Sequence, residues 1–359
     1  MGLILALFLS FGLTDPTNGF QTNSGQASVD GLPVAPLFAS DEVLELSLVT
    51  DIRSLTRDRD EDREYHPATL IVAGEQGDSV SVPLRVRTRG NFRRQANICT
   101  FPPIRMNFYR DSVTGSVFDG QNRLKLVVHC RNSDQYEQYI LQEYLVYRLF
   151  NLFSEMSFRV RLARVTYVDT EDRIDTVTRY AFIIEDAGAM AERNGWEELE
   201  IPLVPPDVVP QDHMAMVEVF QYMIGNTDFS GFLKSETEDE CCHNTIPIGS
   251  LNGPVFPIPY DFDVTGIVNT RYASPPPNLP IRSVRERLFR GLCRDPVFLE
   301  DALQLFIDKR NAIYDLYHNM DLLDNRVRDR TIAYLDDFFE TITDERRVQR
   351  ELVRTCRPL

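Results

Sequence analysis

The chain has 359 residues, 43% of them apolar and 10% aromatic, which excludes a disordered chain and allows one large bilobal unit or two domains. Its 54 acidic residues against 38 basic ones leave a formal charge of −16. That balance opposes the counterion-release attraction behind sequence-independent nucleic-acid binding, so DNA and RNA are excluded as partners.

Residues 3–13 form an apolar run that is too short to cross a bilayer as a helix but has the length of a signal-peptide core. No Lys or Arg precedes Arg53, so the basic flank is missing. Either the true start lies upstream, or this is a buried N-terminal segment. Export is the favoured reading, with residues 1–20 as signal peptide, 21–40 as a Gly, Ser, Asn and Pro-rich linker, and no transmembrane segment. Six cysteines, Cys99, Cys130, Cys241, Cys242, Cys293 and Cys356, lack metal-finger spacing and are expected to pair in an exported protein. Cys99 with Cys130 is the first pairing expected, and Cys241-Cys242 reads as a loop fastening.

From residue 41 onward, Leu44, Leu46 and Leu48 alternate with polar residues, as do Val80, Val82, Leu84 and Val86, which is the period of half-buried strands. Further strands are expected at 68–73, 104–109 and 124–128. Helical spacing of Ile140, Leu141, Tyr144, Leu145, Leu149 and Leu152 predicts a helix over 136–153, followed by strands at 160–168 and 178–184. Helices are expected at 214–224, 297–316, 322–335 and 345–353. This order predicts an α+β, protein-kinase-like bilobal fold. A β-rich N-lobe with one helix would span 41–185, and a mostly helical C-lobe 186–359.

Three segments carry the chemistry: Gly225-Asn226-Thr227-Asp228, Cys242-His243-Asn244 and Pro259-Tyr260-Asp261-Phe262-Asp263. Carboxylates and a carboxamide that converge suit Mg²⁺, which takes hard oxygen ligands and often completes its shell with substrate phosphates. Asp228 would accept or orient the proton of an attacking hydroxyl. Asn244 and Asp261 would hold the metal, with Asp263 as a second ligand or an orienting group. Taken alone each has a structural reading: Asp228 and Asn244 as turn residues, His243 as a structural hydrogen-bonder, and Asp-x-Asp as a calcium or sugar-transfer motif.

In the first half Lys125 is placed to pair with nucleotide phosphates, held by Glu143 of the following helix. A solvated strand face and helix face explain the same two residues. The run from Arg87 to Arg94, with Arg89 and Gly90 at its turn, has the guanidinium forks to close over phosphates, or it straps acidic neighbours.

Arg89-Gly90-Asn91, Asn226-Thr227-Asp228, His243-Asn244 and Pro259-Tyr260-Asp261-Phe262-Asp263 together resemble the CotH family of spore-coat-type atypical kinases and, more distantly, the HipA-like kinases. The resemblance implies a secreted or surface kinase that binds ATP with Mg²⁺ or Mn²⁺ and phosphorylates hydroxyls of a partner protein, itself exported or on the surface. It makes Asp228 the catalytic residue and Asn244 and Asp261 the metal ligands. An acidic, Cys-bearing segment, 229–242, separates Asp228 from Asn244, where the family keeps them close. The alternative function is a catalytically inactive kinase-like surface binding module. A sugar transferase and a calcium-stabilised domain rank below both.

Overall fold

The structure, a computed structural model, describes residues 34–73, 78–235 and 240–358. The expected signal peptide, most of the expected linker and residues 236–239 of the acidic segment lie outside the described residues. Of the expected linker, residues 34–40 are described, and there Leu37 is buried and its carbonyl accepts from Arg161 at 3.3 Å.

The strands form where alternation places them: β1 (Leu44–Thr50), β2 (His66–Ala73), β3 (Ser79–Thr88), β4 (Ile104–Phe108), β5 (Arg123–Val127), β6 (Val160–Asp169) and β7 (Val177–Ile184). They close into a barrel in the order β1-β2-β3-β4-β5-β7-β6. All neighbours are antiparallel except β1 and β6, whose parallel pairing of Leu44 with Ala163 through Thr50 with Asp169 shuts the ring. The barrel interior holds the inward-facing set, among them Leu46, Leu48, Leu70, Val82, Leu84, Met106, Leu126, Ala181 and Ile183. A strand of period two sends its other residues outward. Phe182 and Ile184 of β7 and Leu162 of β6 therefore leave the barrel and join the second core.

That second core is organised by α2 (Asp134–Asn151), which packs on the outer face of β6 and β7. Asp134 and Glu137 in its first turn and Arg148 in its last complement the helix dipole. Around it lie α3 (Ala187–Arg193), α4 (Gln211–Ile224), α5 (Pro296–Asp308), α6 (Arg310–His318), α7 (Asn325–Thr343) and α8 (Glu345–Val348). A short sheet of β8 (Glu197–Glu198), β9 (Thr245–Gly249) and β10 (Val255–Pro259) sits among these helices. One further helix, α1 (Ile52–Arg57), follows β1 and is started by Asp51, whose carboxylate accepts from the Ser54 backbone N–H at 2.9 Å.

The expected protein-kinase-like bilobal fold is not what forms. The seven strands make a closed mixed barrel rather than an open lobe sheet, two helices rather than one lie within the β-rich half, and residues 34–359 form one compact unit. The reason is the β1–β6 pairing: it joins segments more than a hundred residues apart, and once it forms no edge strand remains to border a separate lobe. The helix expected over 297–316 also breaks, at Lys309, into α5 and α6.

Among the described residues the cysteines pair as Cys99–Cys130, Cys241–Cys242 and Cys293–Cys356, and none is free. The first of these is the pairing expected from the sequence. No helix among the described residues is long and apolar enough to cross a membrane.

Candidate functional site

Helix α4 ends at Gly225, where φ of +66° reverses the chain. A side chain is strained in that conformation, and a Cβ here would also lie 2.1 Å from the Tyr334 hydroxyl, so only glycine serves. The Asn226 backbone N–H then donates to the Gln221 carbonyl at 2.8 Å, and the buried Asn226 carboxamide accepts from the Asp228 backbone N–H at 2.9 Å. This Asx turn presents Asp228 to solvent, with 46% of its side chain exposed. His243 Nε2 lies 2.9 Å from Asp228 Oδ1, and Asn244 Nδ2 donates to the Asp228 carbonyl at 2.7 Å and to Oδ2 at 3.3 Å.

Asn244 and Asp261 flank the β9–β10 hairpin at its open end. Thr245 pairs with Pro259, and one step further out the Tyr260 backbone N–H donates to the Asn244 carbonyl at 3.1 Å. The hairpin thus cancels the sequence gap between the second and third motifs. Asn244 and Asp261 both hold left-handed backbone, φ +50° and +63°, an uncommon state for residues other than glycine that collects at functional turns. Asp261 is fixed from two sides: its backbone N–H donates to the Tyr147 hydroxyl of α2 at 3.0 Å, and the next residue, Phe262, is fully buried with its ring 4.7 Å from that of Tyr147.

Asp263 has a different environment. Arg93 Nη1 lies 3.2 Å from Asp263 Oδ2 and 3.2 Å from Glu143 Oε2, and all three residues are buried. Burial pushes the Glu143 carboxyl above its ordinary range, Arg93 opposing and Asp263 and Asp261 adding to the rise. Burial likewise pushes Asp261 up, helped by Asp263 and opposed by Arg89, Arg93 and Lys125. The expected Lys125–Glu143 pair does not form: Glu143 is held by Arg93, and Lys125 Nζ stands 4.3 Å from the centre of the Tyr260 ring. Burial, then Arg89 and Arg105, lowers the Lys125 amine to about 8.

Lys125 belongs to a row of cations. Arg87 of β3 is directly opposite Arg105 of β4, which is opposite Lys125 of β5, all on the barrel's outer face. Like charges side by side repel, and no carboxylate lies within ion-pair distance of these three among the described residues. Arg89 continues the group just beyond β3, its Nε buried without a partner, and Gly90 turns the chain at φ +80°. Within the protein the row meets aromatic rings instead: Arg87 lies 4.6 Å from the centre of the Tyr65 ring and Lys125 lies over Tyr260.

A nucleotide with Mg²⁺ can be tested against these groups. Among the described residues the half-buried Asp261 carboxylate accepts no hydrogen bond, and neither does Asn244 Oδ1, since the Asn244 amide nitrogen is the atom turned to Asp228. Two free hard oxygens suit Mg²⁺, which draws its remaining ligands from phosphates and water. Asp263 Oδ2 lies 3.2 Å from Arg93 Nη1 without a hydrogen bond, so the guanidinium charge would compete with a metal for it. Among the described residues no three His, Cys, Asp or Glu side chains converge as a metal cage.

Sequence reasoning missed Arg93 as the partner of Glu143, Tyr147 as the anchor of Asp261, and Arg105 as the neighbour of Lys125. Arg93 lay within the Arg run already singled out, but nothing in its spacing tells which arginine turns inward. Compared with protein-family models, curated proteins and solved structures, the chain matches none, so the likeness to CotH-type and HipA-like kinases rests on the motif residues alone.

Proposed function

We propose that this protein transfers the γ-phosphate of ATP to a hydroxyl of a partner protein, using CotH-type motif chemistry carried on a barrel-and-helix framework. The observation that carries the reading is that Asn244 bonds to Asp228 across an Asx turn while the backbone of Tyr260, next to Asp261, pairs with Asn244 at the open end of one hairpin. Asp228 would take or orient the hydroxyl proton, its carboxylate held by His243 and Asn244. Asn244 Oδ1 and Asp261 would hold Mg²⁺, which when bound neutralises phosphate charge. Lys125, Arg89 and Arg105 would meet the phosphate oxygens, Arg through its bidentate fork. Three disulfides among the described residues favour an exported setting.

A second reading, a silent binding module, is favoured by the Arg93 charge beside Asp263 and the absence of a Lys125–Glu143 pair. Calorimetric titration with ATP and Mg²⁺ separates the two. Binding that Asp261→Ala abolishes supports phosphoryl transfer, and a wild type that binds no nucleotide supports the module.

A further inference from the structure

A cavity of about 510 Å³ opens between the first turns of α2, the loop of residues 267–271, and the start of α7. That size is within the range of small-molecule sites. Its charged lining is lopsided for a protein of charge −16: Arg271, Arg285, Arg326 and Arg330 face it, against the single carboxylate of Asp324. None of the four guanidinium groups has a carboxylate within ion-pair distance among the described residues. Arg285 is also held in place, donating to the Gly266 carbonyl at 3.2 Å and stacking 4.4 Å from the centre of the Tyr334 ring. Burial lowers its pKa, opposed by Tyr334 and reinforced by Arg287 and Arg330. The wall is stiffened by Gln138, which accepts from the Asp324 backbone N–H at 2.9 Å and donates to the Leu322 carbonyl at 3.1 Å.

We propose that this cavity binds a compact polyanion carrying several phosphate groups. Four guanidinium groups line this one cavity, and Arg285 and Arg330 each spend one donor on a backbone carbonyl and keep the rest, enough to match several phosphate faces at once, while the amides of Gln135 and Asn269 add neutral donors. The site is separate from the Asp228 group and stands whether or not phosphoryl transfer does. Thr270 of its lining meets the neighbouring cluster, its hydroxyl donating to the Asp263 carbonyl at 3.0 Å.

Calorimetric titration of the full chain with sodium tripolyphosphate, without divalent metal, tests the assignment. Binding is expected in the wild type and in Asp261→Ala. In Arg326→Gln/Arg330→Gln, two exposed positions whose replacement should leave the melting temperature unchanged, it should weaken at least about ten-fold. Absence of binding in the wild type, equal binding in the double arginine variant, or equal heat from inorganic sulfate at matched ionic strength would each overturn it.

Discussion

Two groups of the candidate site, the Asp228 turn and the Arg93 cluster, differ in their exposure, and Asp261 acts electrostatically on the second. On one side Asp228 has a side chain that is nearly half exposed and is steadied by its contacts with His243 and Asn244. On the other, Asp263 shares Arg93 with Glu143 in a sealed cluster, where each member is buried. Between Asp261 and Asp263, fully buried Phe262 anchors the segment against Tyr147 and Phe220. The contrast separates roles: a group meant to exchange a proton must reach solvent or substrate, whereas a buried ion triad fixes geometry and is costly to break.

Breaking the sealed side has the largest expected effect. Arg93→Met leaves Asp263, and Glu143 once ionised, buried without their cation and should cost about 3–5 kcal/mol of stability, read by urea unfolding at a pH above the raised Glu143 value. A loss under about 1 kcal/mol would mean that the cluster is not sealed.

Next comes Lys125, on the open side. Lysine occurs only at positions 125, 234 and 309, and an amine lowered to about 8 is near half neutral at that pH, against about 1% or less for an ordinary lysine. Mass spectrometry after brief acylation at pH 8 should find Lys125 modified before exposed Lys309, and ATP with Mg²⁺ should slow it. Earlier modification of Lys309 contradicts the assignment.

Glu143 tests the sealed side through pH. Its carboxyl is raised in the folded state, so the native protein binds more protons than the unfolded chain above the ordinary carboxylate value of about 4. The stability of the wild type relative to Glu143→Gln should be greatest below that pH and fall as pH rises through the raised value, by at most about 1.4 kcal/mol per pH unit. A difference that grows with pH would show that Arg93 outweighs burial.

The smallest expected effect sharpens the comparison most. Asp228→Asn should change unfolding stability by less than about 1 kcal/mol, because an exposed carboxylate contributes little. A loss as large as that of Arg93→Met would erase the distinction between the two groups.

Much of the barrel was legible because alternation at Leu44, Leu46 and Leu48, and at Val82, Leu84 and Val86, fixes which face is buried, although Val80 at the start of the same row is left exposed. Closure was not, since the pairing of Leu44 with Ala163 is a long-range match that local patterning does not encode. Helix α2 was found from its periodicity, while the β9–β10 hairpin was lost in a half that reads as helical. That omission hid how Asn244 reaches Asp261. Asp228, Asn244 and Asp261 stood out as chemistry-bearing motifs. Their setting depended on Tyr147, Arg93 and Arg105, whose contribution is set by register and packing and leaves no spacing signature.

The central claim is that the Asp228 side of the pair is where chemistry occurs. Incubation of the full chain with γ-labelled ATP and Mg²⁺ or Mn²⁺, with the wild type beside Asp228→Asn, tests it most directly. Label is expected on the protein itself or on a co-exported partner, and its rate of appearance should drop by about 10²–10⁴ in the variant while unfolding stability stays level. Equal labelling by both proteins, or none by a wild type that is folded and nucleotide-bound, would contradict it.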